Sequence, residues 1–154
     1  MATNNKVSIL PKSFPEYETA VRTAGGQVAE FDSTVGAIIW TDYSKPTELK
    51  DLLAVNPQVE WVQLPFAGVD AFAEVISHPI RFTSAKGAYR KPVAEHALAL
   101  MLALGRAIPT RVRATSWGEK FAVSLYESKV LIVGGGGIAA ELLNLLKPFG
   151  CEVT

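Results

Sequence analysis

The chain has 154 residues, 49% of them apolar and 19% charged, with fifteen basic side chains against fifteen acidic ones. That composition belongs to a globular chain with enough apolar material for a real core, and it excludes a disordered one. A formal charge of zero gives no reason to expect nucleic acid or an anionic membrane as a partner. The single cysteine, Cys151, cannot form an internal disulfide, which fits a reducing compartment. MATNNK carries no apolar stretch of the kind a signal peptide needs, and the run Ala97–Leu104 is far short of a membrane span. The expectation is a soluble, cytoplasmic protein.

Lys6–Leu10 reads as a short buried strand, with Pro11 and Pro15 marking the loop after it. Glu16–Ala24 has a helical pattern that Gly25 and Gly26 stop. Gln27–Phe31 is a weak strand and Val35–Trp40 a strong one. Ser44 and Pro46 open a helix that runs to about Val55 and ends at Asn56-Pro57. Val59–Leu64 is the next strand, followed by the loop Pro65–Val69; Asp70 then suits the N-cap of a helix over Ala71–Ile76, and Ile80–Thr83 is a further strand. Strands alternating with helices predict a parallel sheet covered on both faces. Residues 1–91 are therefore expected to form one small α/β domain.

Lys91–Ala107 differs in kind. Pro92 and Glu95 suit a first helical turn, and the middle of the segment is apolar on every face. Such a helix is expected to lie between two bodies, either domains or subunits, with water touching little of it. Ile108–Glu127 is mixed in composition and reads as a connector or short helix leading into the glycine-loop strand, its arginines Arg111 and Arg113 a solvated face together with Arg106. Then comes KVLIVGGGGIAAELLNLLKPFGCEVT: a β-branched run Val130–Val133, four glycines, a helix over Ile138–Leu146 and an incipient strand Cys151–Thr154. A strand, a glycine turn and a helix N-terminus together make an anion site. The first-turn N–H groups lack intrahelical partners, the helix dipole is positive there, and glycine lets a phosphate approach the backbone. Gly134-x-Gly136-x-x-Ala139 fits the dinucleotide fingerprint, whose third position admits Ala. A P-loop is excluded because no Lys-Ser/Thr follows the glycines.

Three segments resemble, in order, those of the D-isomer-specific 2-hydroxyacid dehydrogenases. Leu64–Asp70 (LPFAGVD) is similar to the substrate loop, Ser84–Arg106 (SAKGAYRKPVAEHALALMLALGR) to the hinge and long interdomain helix, and Val130–Gly150 to the dinucleotide turn and its helix. The resemblance implies a flavodoxin-like substrate domain over residues 1–91, an interdomain helix over 92–108, and the start of a Rossmann domain over 109–154. It implies hydride exchange between NAD or NADP and the carbon of a small 2-hydroxy or 2-oxo acid, closure about Ala88–Pro92 and Arg106–Thr110, and a homodimer in the complete protein. In that family an Arg, an acidic residue and a His do the chemistry. All three would fall after Thr154, so no residue of the chain is assigned a catalytic role and the chain alone is expected to be inactive, the front piece of an enzyme.

By the same resemblance, Gly134, Gly136, Gly137 and Ile138 would hold the cofactor pyrophosphate. Phe66, Ala67, Gly68 and Val69 would face the substrate carboxylate, with backbone N–H groups of the last three as donors. Each assignment has a plainer alternative, a βα turn without ligand and an ordinary turn before a helix. Gly137 departs from the family, which often places a long side chain at that position. Lys86, Tyr89 and Arg90 lie in the hinge segment facing the expected cleft, where they would touch substrate or cofactor; the plainer alternative is surface residues of a mobile loop. His96, amid Leu and Ala, is expected to be a packed structural histidine, His78 a solvated loop residue and Cys151 a small buried hydrophobe. A competing reading makes the chain a non-catalytic nucleotide-binding or dimerisation module.

Overall fold

A computed structural model describes residues 5–154, so most of the MATNNK segment lies outside the described residues. The chain divides into two units, Met1–Lys86 and Gly87–Thr154.

The first unit is built on five parallel strands: β1 (Lys6–Leu10), β2 (Gln27–Val28), β3 (Ala37–Trp40), β4 (Trp61–Gln63) and β5 (Arg81–Thr83). All pair in parallel, as the alternating pattern predicts, and their order is β2-β1-β3-β4-β5, the flavodoxin-like order that the resemblance implies. Helix α1 (Pro15–Thr23) and helix α2 (Pro46–Ala54) both start on a proline, whose fixed φ and missing N–H suit that position. The interior strands β3 and β4 bury Ile38, Trp40 and Val62 against Leu49 and Leu53 of α2. Ser8, on β1, is buried too, and its hydroxyl donates to the Ala29 carbonyl at 2.8 Å. That bond satisfies a group whose burial without a partner would cost stability.

Two expected helix caps differ. Ser44 does not cap α2, because Asp42 captures it: the Ser44 N–H and hydroxyl donate to Asp42 Oδ1 at 2.9 and 2.7 Å. Lys45 takes the cap position without a side-chain bond. Nor does Asp70 cap a helix over 71–76. It lies inside a single 3₁₀ turn, Asp70–Phe72, that drives Phe72 into the core. The weak strand expected over Gln27–Phe31 is only Gln27–Val28, since Phe31 turns in to pack against the core.

Four surface carboxyls of this unit are held below their ordinary values. For Asp32 the largest cause is the Thr34 hydroxyl, for Asp42 the Ser44 hydroxyl, for Glu18 the Ser13 hydroxyl ahead of Arg22, and for Glu74 the bond from Lys50. A depressed carboxyl stabilises the fold above its unfolded pKa, and that contribution is lost as pH falls through the folded value. The first unit is thus expected to weaken below about pH 4. The double change Asp32→Asn, Asp42→Asn should flatten the fall in urea midpoint between pH 7 and pH 3. An undiminished fall would show that these turns do not set the acid limb.

In the second unit, helix α3 (Arg90–Gly105) packs on α5 (Gly137–Leu146) through Ala94, Leu142 and Leu146. The short helix α4 (Ile108–Arg111) follows α3. Strands β6 (Lys129–Val130) and β7 (Glu152–Val153) form a parallel pair, shorter than the run Val130–Val133 predicts. The ladder carries on only as far as Ile132, whose N–H donates to the Thr154 carbonyl at 2.8 Å. Val133 has no pairing partner among the described residues.

The long helix, expected to lie between two bodies, is largely open to water in this single chain. Among the described residues only Ala94 of α3 is buried, and Leu100 and Leu104 are 51% and 68% exposed. Composition sets how much apolar surface a helix carries, but neighbours decide how much is covered. His96 is likewise exposed rather than packed, because it lies off the side of α3 that meets α5.

Candidate functional site

The first candidate element is the loop after β4. Leu64 anchors it, buried and donating its N–H to the Thr83 carbonyl of β5 at 2.7 Å. On its far side Phe72 N–H donates to Val69 O at 2.8 Å and Ala85 N–H to Phe66 O at 3.1 Å. Between these ties the N–H groups of Ala67, Gly68 and Val69 meet no backbone acceptor among the described residues. Phe66, Ala67 and Gly68 are exposed, while Val69 packs on the core. The loop sits at the carboxyl end of a parallel strand, where open α/β sheets collect ligands. A Cβ built on Gly68 would lie 3.4 Å from Asp70 Oδ2, so a carboxylate of the chain itself stands at the margin of these donors.

Tyr43 is a neighbour that sequence reasoning missed. Its ring meets Phe66 edge-on at 5.3 Å and Phe72 at 5.8 Å, tying the exposed loop to the core. A signal was available: an aromatic at the carboxyl end of β3, one strand over from the loop, falls on the same sheet edge.

The second element is the turn between β6 and α5. Gly134 has φ +108°, a conformation only glycine adopts without strain. Gly136 takes the cap position with no side-chain bond, and the first helical bond is Ala140 N–H to Gly136 O at 3.0 Å. The N–H groups of Gly137, Ile138 and Ala139 therefore have no backbone acceptor among the described residues. A Cβ on Gly134, Gly135 or Gly136 would meet nothing within 4 Å, so the space over the turn is open. A dinucleotide pyrophosphate needs backbone donors at a helix start and room for its oxygens, and the residues present fit both needs. Ile138 is exposed beside the turn.

Other candidates fall elsewhere. His78 is half-buried rather than solvated, and its Nδ1 is buried without a hydrogen-bond partner. Cys151 is also half-buried, with Sγ 3.2 Å from the Leu125 carbonyl it donates to. Arg106, Arg111 and Arg113 are exposed, yet Arg111 does more than face water: it donates to the carbonyls of Arg106 and Phe121, pinning the segment after α4. Two open cavities of the second unit, about 640 and 500 Å³, are lined by residues such as Trp117 and Phe121, and Leu125 and Phe149. Neither is lined by the turn glycines. No cluster of three or more metal-ligating side chains occurs among the described residues, and no helix there is long and apolar enough to cross a membrane.

No family model matches the chain. An uncharacterized protein in the proB 3' region of Corynebacterium melassecola is 34% identical over 145 residues, which cover 89% of this chain and 46% of that protein. Among solved structures, a D-isomer specific 2-hydroxyacid dehydrogenase family protein from Aeromonas salmonicida superposes with a TM-score of 0.74 at 20% identity, over 96% of this chain and 52% of its own. A glycerate dehydrogenase related protein from Thermoplasma acidophilum gives 0.66 at 25% identity, over 96% and 52%. D-Lactate dehydrogenase from Aquifex aeolicus, solved in complex with NAD and lactic acid, gives 0.61 at 21% identity, over 96% and 50%. The chain thus has the fold of D-isomer-specific 2-hydroxyacid dehydrogenases. It spans about half the length of these relatives.

Proposed function

We propose that the chain carries the substrate loop and the phosphate turn of an NAD(P)-dependent oxidoreductase of the D-2-hydroxyacid dehydrogenase type. The observation that carries this reading is the open glycine turn between β6 and α5, within a fold that these dehydrogenases match over 96% of the chain. A bound nicotinamide cofactor supplies or accepts the hydride in such chemistry. Gly134, Gly136, Gly137 and Ile138 would hold its pyrophosphate, the glycines by leaving room and the α5 start by offering N–H donors. Ala67, Gly68 and Val69 would receive the carboxylate of a small 2-hydroxy or 2-oxo acid on their free N–H groups, and Phe66 would line that pocket. We assign no general acid or base in these 154 residues: His96 is exposed on α3, and His78 lies in the other unit, after the 3₁₀ turn. The chain by itself is proposed to be inactive.

A second reading, a nucleotide-binding or dimerisation module without turnover, is favoured by the open Leu100 and Leu104 on α3. One experiment separates the two: NADH and NADPH fluorescence titration of the chain, beside an assay of glyoxylate and hydroxypyruvate reduction. Weak binding without turnover supports the dehydrogenase half. Tight binding without turnover supports the module. Clear turnover would return catalysis to residues given a structural role above, His96 first.

A further inference from the structure

Gly137 opens α5 without a side chain, yet the space beside it is not empty. A Cβ built there would lie 3.7 Å from both Cβ and Cδ of Arg90, the first residue of α3. The aliphatic stem of Arg90 therefore runs along the first turn of α5, where a side chain from position 137 would otherwise go. Its Nε pairs with Glu141 Oε1 at 3.1 Å, one turn further along the same helix. That ion pair is the only polar contact of the Arg90 side chain among the described residues, and it engages the near edge of a fork that has five donors in all. The side chain remains about half exposed, at 53%.

We propose that Arg90 is a cofactor-binding residue that brings a guanidinium to the phosphates over the Gly134–Gly137 turn, with Glu141 holding the stem in place. This deepens the dinucleotide reading and rests on it. A bare turn offers only N–H dipoles to an anion, whereas a guanidinium adds a full charge and planar, bidentate donors suited to phosphate oxygens. Fixing Nε on Glu141 orders the arginine before the ligand arrives, so less side-chain freedom is lost on binding. The Glu141 carboxylate is shielded by its partner and by burial, only 24% of its side chain being exposed.

The test uses the full 154-residue chain with NADH as the probe, read by fluorescence at low and high salt. Arg90→Gln keeps the stem but removes the charge, and should weaken NADH at least about fivefold at low salt, the difference shrinking as salt screens the charge. Arg90→Ala should weaken it similarly. Adding Gly137→Arg to Arg90→Ala should restore most of the affinity, since the truncated position leaves the side chain at 137 the space that Arg90 filled. A stem that merely packed α3 on α5 would not be rescued from position 137. Circular dichroism of each variant confirms folding. Unchanged affinity in Arg90→Gln would overturn the role of Arg90 and leave the dinucleotide reading intact. An unmutated chain that does not bind NADH would overturn both.

Discussion

Replacing Phe72 by alanine is expected to cost the first unit about 4 kcal/mol, the range found when a fully buried aromatic is truncated. Phe72 is fully buried and belongs to one cluster with Ile38, Leu49, Leu53, Val62 and Val75. Stabilities of such domains are about 5–15 kcal/mol, so this one substitution should remove a large share. The effect should reach the loop after β4, because Tyr43 rests on Phe72 and Phe66 together. Urea unfolding followed by tryptophan emission measures the cost, and hydrogen exchange at Ala67–Val69 measures the loosening. Ile76→Ala, at a neighbouring exposed position, is the control and should cost little. A loss below about 1 kcal/mol for Phe72→Ala would remove it from the core.

The second large effect is expected at Gly134. Its φ of +108° is strained for any residue with a Cβ, so Gly134→Ala should cost the second unit about 1–3 kcal/mol. On the dinucleotide reading it should also weaken NADH at least about tenfold, by shifting the strand exit that aims the turn. Gly135→Ala is the informative partner. Its backbone has no such φ and its Cβ meets nothing within 4 Å, so stability should hold. Any loss of NADH affinity there would report the methyl standing in the ligand's space. If both variants bound NADH like the unmutated chain, the turn would not be the phosphate site.

Much of this fold is legible in the sequence because its signals are local. Pro46 announces the start of α2, Gly25 and Gly26 the end of α1, and the apolar run Val35–Trp40 a strong strand of a sheet covered on both faces, of which Ala37–Trp40 pairs as β3. What stays hidden depends on competition or on neighbours. Ser44 has the chemistry of a cap, yet Asp42 lies two residues away and captures its hydroxyl. Asp70 reads as a helix start, but burying Phe72 requires a tighter turn. The faces of α3 cannot be assigned from composition, since Leu100 and Leu104 look like core residues wherever they point. At the candidate site the glycines are legible, because open backbone is a property of the residue type. Arg90 reads from the sequence as a hinge residue within reach of substrate or cofactor, but its place beside Gly137 is not legible, because that comes from α3 packing on α5 across 47 positions of chain.

The tryptophans give the molecule an optical asymmetry. Trp40 is buried at the carboxyl end of β3, its indole N–H donating to the Asp42 carbonyl at 2.7 Å, while Trp117 of the second unit is 98% exposed. Trp61 of β4, half-buried, reports on the first unit as well, its indole N–H donating to the Thr83 hydroxyl at 2.9 Å. Trp40 should emit at short wavelength and be shielded from iodide, and Trp117 should emit as free indole does and be quenched fully. Loss of structure in the first unit should therefore move the emission to the red, whereas loss in the second should leave it almost unmoved. Tryptophan emission thus follows the first half of the chain and is blind to the second, with no label attached.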